Sequence, residues 1–261
     1  MTSGITLLVD IGNSRVKWAQ VNGQNLTGLG EAAHGESPTH ALQAMVDAQP
    51  GDISRLTVTN VGGETIQLTL NDLAKERWGL TPEFVTPRKE AHGVRCSYPD
   101  PSRLGADRWA ALIAARQFAP GSACVIDSGT TVTLDALDPS GQHLGGLIMA
   151  GPRIVSGALE RETSGIGETS GIGETSGIPG TPVGIEVLGT NTEDAVAKGV
   201  MLGLAGAVDR ALDAVAKEVR GEPTVYITGG DALVLSAWLE TETQFRANLV
   251  LEGLALIAAE R

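Results

Sequence analysis

The sequence predicts an internally duplicated α/β protein. Three observations carry that prediction. An apolar run, Ile5 to Asp10, ends in a carboxylate and is followed by a polar Gly-Asn-Ser turn. Alternation through Val16, Trp18 and Val21 then completes a β-hairpin signal. The same opening recurs 117 positions later, where Ala123 to Asp127 leads into Ser128-Gly129-Thr130 and alternation through Val132, Leu134 and Ala136. Helix-period segments follow the strands in both halves. Two similar units of roughly 120 residues result, divided as 1–119 and 120–261.

Taken in order, Asn22-Gly23 is a second hairpin turn. Ser37 to Ala48 is a helix with Ser37 as cap and Pro38 as first position. Leu56 to Val61 is a buried strand, Thr65 to Trp78 a helix, and Glu83 to Val85 a short strand. Trp109 to Gln117 is an Ala-rich helix. In the second half, Asp138-Pro139-Ser140-Gly141 makes a turn and Gly145-Gly146-Leu147-Ile148 begins a strand. Helices at Thr192–Leu204 and Ala205–Lys217 precede a strand, Thr224 to Thr228, and Gly229-Gly230. Asn248 to Gly253 leads into a final apolar helix.

Composition narrows the class. Hydrophobic residues are 42% and charged residues 19%, ordinary for a globular chain, while aromatics at 3% leave Val, Leu, Ile and Ala to fill the core. A net charge of −12 repels phosphate backbones and anionic lipid, so neither nucleic acid nor membrane is expected as a partner. It repels anionic substrates as well, so a phosphate site needs local donors or a metal. Cys96 and Cys124 read as free core thiols in a reducing compartment. Without an apolar run of 18 residues or a leader pattern, a cytoplasmic protein is expected.

One segment stands apart. Glu162 to Gly167 repeats at Glu168 and again at Glu174, ending at Pro179. Glycine costs about 1 kcal/mol in a helix interior, so these hexads read as a loop or lid rather than a helix. A neutral expansion in a tolerant loop explains them at least as well.

Chemistry is expected at three places. At Asp10 a carboxylate at a strand end precedes a Gly turn. Glycine lets backbone N–H groups approach a phosphate, and the carboxylate suits a hydrated Mg²⁺. Asn13, Ser14 and Lys17 add donors. Either acidic turn alone is also what an ordinary hairpin looks like; two at corresponding strand ends are far more specific. The third place is Tyr98 with Arg103-Leu104-Gly105-Ala106-Asp107-Arg108-Trp109. Asp107, placed before the predicted helix, reads as a helix cap or as a base for an attacking hydroxyl. Arg108 suits a substrate carboxylate or a surface ion pair.

Paired acidic turns of this kind resemble the superfamily of acetate and sugar kinases, Hsp70 chaperones and actin. The resemblance implies ribonuclease H-like domains with mixed sheets and an ATP cleft between them. A narrower resemblance is to type III pantothenate kinase, the family that includes the Bvg accessory factor proteins, and it spans nearly the whole chain. It rests on Asp10-Ile11-Gly12-Asn13-Ser14-Arg15-Val16-Lys17, Tyr98 seven residues before Gly105-Ala106-Asp107-Arg108, Asp127-Ser128-Gly129-Thr130, Gly145-Gly146, Gly189 to Thr192, and Asn248 to Gly253.

That resemblance implies phosphorylation of pantothenate by ATP. Asp10 to Lys17 and Thr130 would contact ATP, with Asp10 on Mg²⁺ through water. Asp127 would bind an activating monovalent cation, K⁺ or NH₄⁺. Tyr98, Gly105 to Arg108 and Thr192 would contact pantothenate, with Asp107 as general base. A homodimer is also implied. The chain departs from the family in Ser14 for Thr, in the order Met149-Ala150-Gly151-Pro152, and in the hexads, which replace a Leu-Pro segment. The rival reading is a non-catalytic nucleotide-binding regulator of the Bvg accessory factor type.

Overall fold

A computed structural model describes residues 4–22, 25–34, 37–49, 51–163 and 187–260. The hexads from residue 164 onward lie outside the described residues, as do positions 23–24 at the second hairpin turn. The chain divides into two compact units, one of residues 1–118 with 248–261 and one of residues 119–247. The first boundary falls one residue from the expected position. Residues 248–261, expected in the second half, belong to the first unit.

In the first unit, β1 (Ile5–Ile11), β2 (Arg15–Asn22) and β3 (Asn25–Ala33) form an antiparallel meander. β4 (Ile53–Asn60) and β5 (Glu83–Phe84) extend it in parallel, giving the order β3-β2-β1-β4-β5. Asn22 pairs with Asn25 at the end of the β2–β3 register. Helix α1 (Pro38–Asp47) starts as its sequence dictates: Ser37 Oγ accepts from the Thr39 N–H at 3.3 Å, and proline occupies the first turn, where no N–H partner is needed. Helix α2 (Glu64–Trp78) ends at Gly79, whose left-handed backbone (φ +69) suits glycine. Both helices bury Leu42, Met45, Ile66 and Leu70 against Leu7, Val9, Ile11, Leu56 and Val58 of the sheet.

A small hairpin, β6 (Glu90–Ala91) with β7 (Val94–Arg95), and a 3₁₀ turn at Pro101–Arg103 follow. Helix α3 then runs Ala106–Phe118, three residues earlier than predicted, so Asp107 lies in its first turn rather than ahead of it. The C-terminal helix α7 (Leu249–Ala259) packs along α3. A side chain at Gly253 would collide with the Ala110 carbonyl, so this crossing requires glycine.

The second unit repeats the plan. Strands β8 (Ala123–Ser128), β9 (Thr131–Leu137) and β10 (His143–Ala150) form the meander, and β11 (Thr224–Thr228) and β12 (Gln244–Phe245) add in parallel, in the order β10-β9-β8-β11-β12. The β9–β10 turn is closed by Asp138 Oδ1, which accepts from the Ser140 and Gln142 N–H groups at 2.8 Å. Helix α4 (Pro152–Glu162), a long α5 (Thr192–Val219) and a short α6 (Ala232–Ser236) complete the unit. The two helices expected between Thr192 and Lys217 are one: α5 is continuous over Thr192–Val219. Its buried stripe of Met201, Leu204, Ala205, Val208 and Leu212 continues unbroken onto β8 and β11. Packing of that stripe outweighs the roughly 1 kcal/mol that each interior glycine costs.

Candidate functional site

The acidic turn at Asp10 is built by strand pairing. Asp10 pairs with Lys17 and Ile11 with Val16, and the Gly12 N–H donates to the Arg15 carbonyl at 3.0 Å. Asn13, Ser14 and Arg15 are therefore displayed at the surface, and Arg15 is held by Glu31 at 2.8 Å. Ile11 and Val16, expected among the ATP contacts, bury their side chains fully in the core. Only their backbone remains to meet a ligand. On the parallel side Asp10 stands opposite Thr59, whose hydroxyl donates to Asp10 Oδ1 at 2.8 Å. Beside it Asn60 closes a tight loop, accepting from the Gly62 N–H at 2.9 Å and donating to the Gly63 carbonyl at 3.0 Å.

The turn at Asp127 is one residue shorter. The Gly129 N–H donates to the Thr131 carbonyl at 3.0 Å, and Asp127 stands opposite Thr228 on the parallel neighbour. Each acidic residue is thus the penultimate residue of its strand and faces a threonine on the adjacent parallel strand. Gly229 (φ +99) passes so close that a side chain would strike Asp127 Oδ1 and the Ser128 carbonyl. Gly151 packs on the same turn: its N–H donates to the Thr130 carbonyl at 3.0 Å, and a Cβ would collide with the carbonyls of Gly129 and Thr130. Ser128 is fully buried, and its hydroxyl has no hydrogen-bond partner. Asp231, also buried, donates its N–H to the Ser128 carbonyl at 2.9 Å and lies 3.6 Å from Arg153.

Both turns suit oxygen-ligated cations. Among the described residues no three His, Cys, Asp or Glu side chains gather into a cage. A lone strand-end carboxylate beside a hydroxyl fits Mg²⁺, which keeps most of its waters and takes the rest of its shell from substrate phosphates. The Asp127 carboxylate offers an oxygen donor of the same kind at the second turn, opposite Thr228.

The third expected group assembles in the first unit. Asp100 caps the 3₁₀ turn, its Oδ1 accepting from Ser102 Oγ at 2.7 Å and the Ser102 N–H at 3.1 Å. Those bonds hold its carboxyl below the usual carboxylate range. The Gly105 carbonyl accepts from the Trp109 N–H at 2.9 Å, starting α3. Asp107 Oδ1 accepts from the Arg108 N–H at 2.7 Å, and a Cβ on Gly105 would meet that carboxylate oxygen at 2.5 Å. Arg108, only 9% exposed, directs Nη1 to the Tyr98 hydroxyl at a long 3.4 Å. Tyr98, Gly105, Asp107 and Arg108 are therefore neighbours, and Ala106 is buried beside them. Thr192 and Thr130 belong to the second unit. Thr192 is exposed at the start of α5, where the Asn191 side chain caps the Asp194 N–H at 2.8 Å.

Sequence reasoning missed Thr59 and Thr228, because threonine in a strand also reads as ordinary β-propensity. It left Gly151 without a role. The signal was present: a Gly-Pro pair opening a helix after a glycine-rich strand.

A profile of the type III pantothenate kinase family matches residues 6–214. The type III pantothenate kinase of Nitrosococcus oceani is 36% identical over 97% of this chain and 94% of its own length. That of Azoarcus sp. is 35% identical over 97% and 90%. Solved structures share the fold. The activator of 2-hydroxyisocaproyl-CoA dehydratase from Clostridium difficile, with bound ADPNP, superposes with a TM-score of 0.56 at 15% identity, covering 98% of this chain and 94% of that one. A ROK family glucokinase from Streptomyces griseus gives 0.52 at 16% identity, covering 99% and 100%.

Proposed function

The chain belongs to the type III pantothenate kinase family, and on that footing we propose which of its residues carry the family's reaction. The reaction is ATP-dependent phosphorylation of pantothenate to 4′-phosphopantothenate, the first step of coenzyme A biosynthesis. The relatives are named as kinases, and Asp10, Asp107 and Asp127 are all present, so the regulatory reading is not favoured.

Asp107 is the general base. The observation that supports this is the grouping of its carboxylate with Gly105, Arg108 and Tyr98 at the head of α3. The primary hydroxyl of pantothenate attacks the γ-phosphorus of ATP. As the new O–P bond forms, the bond from the γ-phosphorus to the β,γ-bridging oxygen breaks and ADP leaves. The hydroxyl proton passes to the Asp107 carboxylate. Arg108 and Tyr98, with Gly105 and Ala106, hold pantothenate, and Thr192 adds a hydroxyl contact. The turn from Asp10 to Lys17 offers phosphate donors, Asp10 holds Mg²⁺ through water, and Thr130 contacts ATP. Bound Mg²⁺ neutralises phosphate charge in a loose transition state, where positioning supplies most of the acceleration. Asp127 holds K⁺ or NH₄⁺.

Pantothenate-dependent ADP release tests the assignment. Asp107→Asn keeps the fold and lowers turnover by about 10²-fold or more; near-full activity in that variant removes the base from Asp107. Asp127→Ala abolishes stimulation by K⁺. An unaltered K⁺ response sends the cation elsewhere.

A homodimer is supported by large apolar side chains left exposed on the second unit: Leu147 and Ile148 on β10, Ile154 on α4 and Leu202 on α5. A cytoplasmic setting is supported by two buried free cysteines, and no described helix is long and apolar enough to cross a membrane.

A further inference from the structure

The first unit contains a cavity of about 300 Å³ that holds none of the residues assigned to pantothenate or ATP. It lies under α3 and α7 at the β5 edge of the sheet, lined by Arg55 and Thr57 of β4, Glu83 and Phe84 of β5, Trp109 of α3 and Ile257 of α7. Arg55 precedes Thr59 by four residues on β4. That places it about 13 Å from the Asp10–Thr59 pair, at about 3.3 Å per residue.

Its walls are built rather than incidental. Arg55 makes a forked pair with Glu83, at 3.2 Å from Nε and 2.8 Å from Nη2, and donates from Nη1 to the Ala258 carbonyl at 2.7 Å. That pair neutralises itself and ties β4 and β5 to the end of α7. His92 carries a left-handed backbone (φ +50) and is held to Glu260 at 3.1 Å. A non-glycine residue there costs energy that its surroundings must offset.

Two groups remain without partners. Thr57 is 2% exposed, and its hydroxyl has no hydrogen-bond partner. Burying such a group unpaired is unfavourable. Thr57 is among the residues that line the cavity. Arg88 lines the rim, is exposed, and makes no ion pair among the described residues. Phe84 and Trp109 add aromatic surface. Polar and apolar side chains share the lining, with the Glu83 and Glu260 carboxylates engaged by Arg55 and His92.

We propose that this cavity binds a small aromatic monocarboxylate, with its ring against Phe84 and Trp109 and its carboxylate shared between Arg88 and the Thr57 hydroxyl. Arg88 selects the charge, since Arg55 is already satisfied by Glu83. The aromatic lining selects a flat apolar body over a bare anion.

Calorimetric titration of the full chain with benzoate tests this, with benzamide as the uncharged counterpart and inorganic phosphate as the anion without a ring. Saturable one-to-one binding of benzoate is expected, with benzamide and phosphate each weaker by about tenfold. Arg88→Ala, on the surface, weakens benzoate by about tenfold, and Thr57→Val, close in shape, by about threefold. Both variants retain the wild-type rate of pantothenate phosphorylation. Absence of saturation overturns the site. So does benzoate binding that is equal in wild type and both variants. Benzamide binding as tightly as benzoate overturns the role of Arg88, and phosphate binding as tightly overturns the aromatic selection.

Discussion

At the scale of single residues, the two acidic turns share a partner. Asp10 receives the Thr59 hydroxyl, and Asp127 faces Thr228 at the equivalent register. The bond to Thr59 fixes the orientation of the Asp10 carboxylate. Thr59→Val removes the donor without changing side-chain shape. The expected outcome is a several-fold rise in KM for MgATP with stability changed by about 1 kcal/mol, and Thr59→Ser restores the wild-type value. Steady-state kinetics across the three proteins checks it; an unchanged KM in the valine variant frees Asp10 from Thr59. Both aspartates stood out in the sequence by ending apolar runs before Gly turns. The threonines did not, because their role depends on which strand lies alongside. Cys124 was read as a free core thiol, and it is free and fully buried. Burial, reinforced by the Asp135 charge, pushes its thiol up to about 12, so it stays protonated at neutral pH.

At the scale of elements, periodicity located most strands and helices, and caps located their ends. Ser37 and Pro38 start α1 where the residues themselves require it. Two boundaries were illegible. Two helices were expected to meet between Leu204 and Ala205, yet α5 runs through that point on a continuous buried stripe. The start of α3 precedes the apolar run because Gly105 supplies its first carbonyl. Close crossings are likewise invisible locally. Gly253 lies against the Ala110 carbonyl, so Gly253→Ala is expected to destabilise the protein despite alanine's better helix propensity. Overpacking of about 1–3 kcal/mol should appear as a lower urea midpoint; a midpoint equal to or above wild type refutes the tight crossing.

At the scale of the whole molecule, duplication is the organising fact. Both sheets run meander first and parallel strands second, in the same order. The exposed apolar side chains on β10, α4 and α5 all belong to the second unit. Sedimentation velocity is expected to give a dimer, and Ile148→Glu, 64% exposed in the single chain, to give a monomer. A wild-type monomer at micromolar concentration removes the dimer, and a dimeric Ile148→Glu moves the interface.

The sequence alone determined the duplication, the acidic strand ends, the hydroxyl-bearing turns and the block around Asp107, since each is written in contiguous residues whose spacing sets strand, turn or helix. Only the tertiary structure decided the rest. It returned residues 248–261 to the first unit and placed threonines opposite the aspartates. It seated Gly151 and Gly229 against the second turn. Those facts depend on which strands and helices become neighbours, and burial and close packing set that across long separations.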